Sequence, residues 1–183
     1  NTGSKPIPAL EYPSYGSVLA KELPTAQDIP SQVAVPRASQ GAGFLGIRYA
    51  ALETNSTPTF GRPFSVRGIS LSGGIGIDEV KRRQSLLKQL DRRFAKLEKS
   101  DQLLDGLDRF GDQAYSMITS PKAREAFDIS KEPESFARQF GEDAFGQSCL
   151  LALRLVESGV RLVSVQLGGW DTHQDNFTKL KTN

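Results

Sequence analysis

The chain has 183 residues, with a hydrophobic fraction of 38% and a charged fraction of 24%, ordinary values for a globular domain that can bury a sizeable core. A formal net charge of +2 argues against the concentrated basic surface of a dedicated nucleic-acid binder, and no apolar run approaches the ~20 residues of a membrane span. Cys149 is the only cysteine, so the chain has neither an internal disulfide nor a thiolate cluster for structural zinc. The start carries neither a charged-then-apolar signal segment nor an initiator methionine, so the sequence reads as part of a longer product whose targeting information lies elsewhere.

Composition divides the chain near residue 77. The first 77 residues hold eight of the ten prolines, ten of the seventeen glycines and only ten of the 44 charged residues, which reads as short strands and long loops. Within them, Pro13 to Leu23 includes a short helix capped by Ser14, with Tyr15, Val18, Leu19 and Leu23 at helical spacing. The run Pro30 to Pro36 is a short strand bounded by prolines, and residues 50 to 76 read as a surface excursion, a lid or an edge hairpin.

Residues 78 to 140 form a helical region. Asp78 to Leu104 is amphipathic: Val80, Leu86, Leu87, Leu90, Phe94 and Leu97 share one arc, opposite Lys81, Arg82, Lys88, Arg92, Arg93, Lys96 and Lys99. Asp78 and Glu79 suit the positive end of its dipole. A second helix spans Gly106 to Thr119, and Ser120-Pro121 opens a third with a serine cap and proline at its first position. A fourth runs from Pro133 to Phe140 and ends at Gly141.

Residues 141 to 183 combine a helix, a strand and a candidate site. Glu142 to Ser158 is apolar on most sides and predicts a buried helix ended by Gly159. The near-continuous apolar run 160–167 follows as a parallel strand covered on both faces. This helix–glycine–strand unit is half of a right-handed crossover and predicts an α/β fold.

Just past that strand come Gly168, Gly169, Trp170, Asp171, Thr172, the chain's only histidine His173, and Asp175. Open α/β sheets keep their ligands beyond the carboxyl ends of their strands. A carboxylate and an imidazole two residues apart in such a loop can reach one divalent ion, although two ligands leave the coordination sphere to be completed from other segments. The same letters also fit a capping box, with Asp171 as N-cap, Gln174 three residues on and His173 exposed in the first turn.

The other candidates read more plainly. Gly41-Ala42-Gly43-Phe44-Leu45-Gly46 has the letters of a dinucleotide fingerprint, but Pro36 to Gln40 separate it from the strand and no acid lies near position 66; the expectation is a tight loop with Phe44 and Leu45 plugged into the core. Ser72-Gly73-Gly74-Ile75-Gly76 lacks the lysine of a phosphate loop and reads as a turn. Acids interleave the basic face of helix 78–104, which predicts a solvated face. Cys149, between leucines, reads as inert packing, and Gly146 to Leu150 lacks the closing glycine of a nucleophile elbow.

Several segments in order resemble one bacterial family. They are Tyr12 to Ser17, Gly41 to Gly46, Leu87 to Arg92, Thr119 to Asp128, Gly141 to Gln147 and Gly168 to His173. Over essentially the whole chain they are similar to the family catalogued as domain of unknown function 1501, a group described as sulfatase-like and placed with the alkaline phosphatase superfamily. The resemblance implies part of an alkaline-phosphatase-like α/β/α sandwich with a mostly parallel sheet. It implies export to the periplasm or medium behind a leader of the twin-arginine type. It also implies phosphate- or sulfate-ester hydrolysis with one or two divalent metals (zinc, calcium, magnesium or manganese), on a small-molecule or polysaccharide ester. Asp171 and His173 match the family's Gly-Gly-Trp-Asp-Thr-His segment and become candidate metal ligands, with Asp175 a further one. The family's earlier acidic ligands and nucleophile, and its later Gly-Arg-Thr-Pro and Arg-Asp-His-type segments, fall outside these residues, so this portion alone is expected to be inactive. The alternative is a non-catalytic exported binding protein on the same scaffold, with recognition in the loop-rich first 77 residues.

Overall fold

The computed structural model describes residues 10–23, 25–26, 28–67, 69, 76–94, 112 and 114–168, apart from the side chains of 88 and 90–94. Helix α1 (Tyr15–Glu22) begins where expected: Ser14 sits in an extended conformation and its hydroxyl accepts from the Ser17 amide. Strand β1 is Gln32–Val35, inside the proline-bounded run, and all four of its residues are buried. Two 3-10 turns, Gly43–Leu45 and Ile47–Tyr49, lead to the two-residue strand β2 (Leu52–Glu53).

Helix α2 is Ile77–Phe94. Residues 114–119 are helical (α3), and α4 (Pro121–Phe127) follows with Ser120 capping Ala123 and proline in the first turn. The expected helix 133–140 is a single turn, α5 (Glu134–Ala137), tightening into a 3-10 turn at Arg138–Phe140. Gly141 ends it at φ +85°, a left-handed value open to glycine. Helix α6 (Ala144–Glu157) is capped by Asp143, which accepts from the amides of Phe145 and Gly146. Gly159, at φ +108°, turns the chain into β3 (Leu162–Val165).

The architecture is α/β, with a three-stranded parallel sheet in the order β2-β1-β3. Gln32 pairs with Leu162 and Val35 with Val165, while Val33 pairs with Leu52. Alternate residues of a strand face opposite ways, so the central strand serves two layers. Val33 and Val35 join Leu150, Leu151 and Leu155 of α6, Ala123, Ala126 and Phe127 of α4, and Ile29 and Ile129 in the main core. On the other face, the Gln32 amide donates to the Ser17 hydroxyl at 3.2 Å and to the Tyr49 carbonyl at 2.7 Å, fastening α1 and the second 3-10 turn to the sheet. A β-carbon at Gly16 would strike the Gln32 and Leu162 side chains, so a glycine lets α1 sit this close.

The structure revises three expectations. The strand covered on both faces is β1; β3 is half-buried, with Ser164 exposed, and is the last strand on its side among the described residues. Helix α6 is buried along one stripe only, since Phe145 is 39% and Val156 54% exposed. The excursion 50–76 is no lid over its described part, because Val66 and Ile69 are fully buried in the main core and Phe60 and Phe64 pack against it. Arg138 holds that segment down: its guanidinium lies 4.7 Å from the centre of the Phe60 ring while it pairs with Glu134 and Glu142.

Candidate functional site

The carboxyl ends of the three parallel strands form one edge, and a series of hydrogen bonds fixes it. The Gln166 amide donates to the Val35 carbonyl at 3.0 Å, carrying the β1–β3 pairing one residue past β3. On the other side, Thr54 donates to Ala34 at 3.1 Å and Asn55 to Pro36 at 2.9 Å. The Glu53 side chain crosses the edge and accepts from the Ala38 amide at 3.0 Å. Further along, Gln40 donates to the Tyr12 carbonyl at 2.9 Å and the Ser14 amide to the Gly41 carbonyl at 2.9 Å. The loop after β1 is therefore held at Ala38, Gln40 and Gly41. Asn55 turns the chain at the end of β2 with φ +58°, a left-handed value that asparagine tolerates better than most residues. Thr54 beneath it is buried, and its hydroxyl donates to the Ser56 carbonyl at 2.7 Å.

This edge is where the sequence places its site. Gly168 lies three residues beyond Val165 and is exposed, with open space where a β-carbon would stand. No described atom demands a glycine there. Gly169, Trp170, Asp171, His173 and Asp175 lie outside the described residues. Among the described residues, no group of three histidine, cysteine, aspartate or glutamate side chains is placed to hold a metal ion. The edge residues Arg37, Glu53 and Asn55 carried no sequence signal beyond their positions just after or at the end of two short strands.

The remaining candidates resolve by local physics. The Gly41–Gly46 loop continues into 3-10 turns rather than the helix a dinucleotide site needs. Its Phe44 is 61% exposed and stands edge-on to Tyr12, with centroids 6.3 Å apart, instead of filling the core. Gly43 is needed for backbone contact: at φ +51°, a β-carbon there would run into the Glu11 carbonyl. Residues 72–75 of the other glycine-rich stretch lie outside the described residues. On α2, Glu79 pairs with Arg82 and with Arg83 at 2.9 Å, so part of the basic face is neutralised within the helix. Cys149 is half-buried, and burial, with the Asp143 charge second, pushes its thiol up, away from a reactive thiolate.

No helix of the described residues is long and apolar enough to cross a membrane. Searches among curated proteins and among solved structures find no significant match. A family model matches residues 1–183 from end to end, and the chain thus belongs to the family described as protein of unknown function, DUF1501.

Proposed function

We propose that this chain is part of a metal-dependent phosphate- or sulfate-ester hydrolase, with Asp171 and His173 as metal ligands and Asp175 as a further candidate. The observation that carries the reading is positional. The chain reaches Gly168, which opens the Gly168–His173 segment of the sequence, at the carboxyl edge of a parallel sheet, where α/β folds bind their ligands. The donor set fits the group: carboxylate oxygen and imidazole nitrogen together suit zinc, manganese and related divalent ions. When bound, such an ion supplies a Lewis acid toward a non-bridging ester oxygen and lowers the pKa of a nucleophile.

The test is elemental metal analysis of the dialysed full-length protein beside Asp171→Ala and His173→Ala. One or two equivalents in the parent, lost in both variants, are expected, and would justify assays with phosphate and sulfate esters. Absence of metal from the parent would refute the hydrolase reading. It would return Asp171 to a helix cap and favour a binding protein on the same scaffold. The exposed Tyr15, Phe44 and Ile47 beside the fastened 41–45 loop favour that second reading, as an apolar and partly aromatic surface suited to a polysaccharide.

A further inference from the structure

We infer that the outer side of β3 is a docking surface for one more strand, supplied by another part of the full-length protein. The inference concerns the sheet and stands apart from the reaction proposed above. In β3 the amides that face β1 belong to even-numbered residues: Leu162 donates to the Ser31 carbonyl at 3.4 Å and Gln166 to the Val35 carbonyl at 3.0 Å. In a parallel ladder a residue turns its N–H and C=O to one side, and the next residue turns them to the other. The amides and carbonyls of Val163 and Val165 therefore point away from β1, to a side where no strand stands among the described residues. Proteins protect such a row with lysine, proline, a bulge or extreme shortness, because it otherwise pairs with any extended chain. Strand β2, on the far side of β1, is protected by being two residues long. Strand β3 has the sequence Leu-Val-Ser-Val, without lysine or proline, in unbroken register with β1. Its Leu162, Val163 and Val165 are only half-buried, and Leu167 just beyond is 40% exposed.

The chemistry of this surface selects its occupant. A row of alternating backbone donors and acceptors is satisfied by extended chain, the mode of strand addition. Val163 and Val165 pack against the main core, whereas Ser164 is exposed. The added strand thus carries apolar residues on the core side and small or polar ones beside Ser164. A second copy is the poorer occupant. The four residues of β3 span about 13 Å. Pairing that length between two molecules buries roughly a few hundred Å², well short of the ~1,200 Å² of a stable specific interface. A strand of the same chain needs no such area, because its tether holds it at a high effective concentration.

The test is amide hydrogen exchange, resolved residue by residue, on the full-length protein at two concentrations tenfold apart. Ser164 and Gln166, whose amides face β1, are the internal reference. The amides of Val163 and Val165 are expected to exchange as slowly as these two, at least roughly a hundredfold slower than in an unstructured peptide. That protection should be the same at both concentrations. Fast exchange at Val163 and Val165 beside a protected Ser164 overturns the inference, because the outer side of β3 is then bare. Protection that fades on dilution also overturns it, because the occupant is then a second copy rather than a tethered strand.

Discussion

Helices α2 and α6 each carry an apolar stripe, the first on a heavily charged helix and the second on a largely apolar one, and the two stripes meet opposite fates. In α6, Leu150, Leu151 and Leu155 are completely buried against the sheet and α4. In α2, Leu86 is 53% and Leu87 58% exposed, and every described side chain is exposed or half-buried. Periodicity says which side of a helix is apolar; it does not say what covers that side. The difference lies in the flanks. Helix α6 is capped by Asp143 and leads through Gly159 directly into β3, so its stripe is brought onto the sheet by chain connectivity. Helix α2 has no such tether among the described residues, where its one long-range side-chain hydrogen bond runs from Gln84 to Asp112.

The strongest way to break this comparison is a charge on each stripe. Leu151→Asp should leave the chain unfolded, because an unpaired buried charge costs upwards of about 4 kcal/mol out of a total stability of roughly 5–15 kcal/mol. Leu86→Asp should shift stability by no more than about 0.5 kcal/mol. Thermal melts followed by circular dichroism read both. Equal losses would mean that the apolar face of α2 is covered after all.

Ion pairs give a second contrast. Arg154 of α6 pairs with Glu132 and also donates to the Glu125 carbonyl at 2.7 Å, with only 12% of its side chain exposed and its Nε buried without a partner. Removing one member of such a pair strands the other, so Arg154→Met should cost about 3 kcal/mol, and adding Glu132→Leu should restore most of it. Arg82→Ala on α2 should leave the melting curve where it is, since its pair with Glu79 is exposed. A double variant no better than the single one would place the importance of Arg154 in its backbone contact rather than in the pair.

The smallest effect concerns acid. The Gly146 amide, and after it the Phe145 amide, hold the Asp143 carboxyl below the usual carboxylate range. A group depressed in this way stabilises the fold fully above its unfolded pKa, and that contribution is lost as the pH falls through the folded value. The melting temperature of the parent should therefore fall more steeply with acid than that of Asp143→Asn, in which the cap persists without the charge. Glu79 of α2 is lowered too, first by its bond to Arg83, but on a helix that buries little. Glu79→Gln should flatten the acid limb less than Asp143→Asn. The reverse order would invert the ranking of the two helices.

What could be read from the sequence is what neighbouring residues decide. Ser14 and Ser120 as caps, prolines bounding β1, Gly141 and Gly159 as stops, and the parallel α6–β3 unit all rest on local backbone chemistry. What escaped rests on partners distant in sequence. Pro58, Val66 and Ile69 are buried in irregular chain, where no periodicity marks an inward face. The exposure of Phe44 follows from Gly43 lying against Glu11, which no local pattern announces. The sheet edge came from the strand pattern, whereas the fastening of Arg37's loop by Glu53 depends on a pairing that only the fold reveals.

The register of β1 has a consequence for how the protein is made. Residue 32 pairs with residue 162, so the central strand leaves the ribosome long before one of its two neighbours exists. Until α6 and β3 emerge, Val33, Val35, Val66 and Ile69 have lost neither their apolar surface nor their tendency to pair with the wrong chain. Such long sequence separation slows folding, because loop-closure entropy is spent before the contacts reward it. During synthesis this is a chain whose first half depends on its second, and truncation before residue 165 should yield aggregates rather than a smaller folded protein.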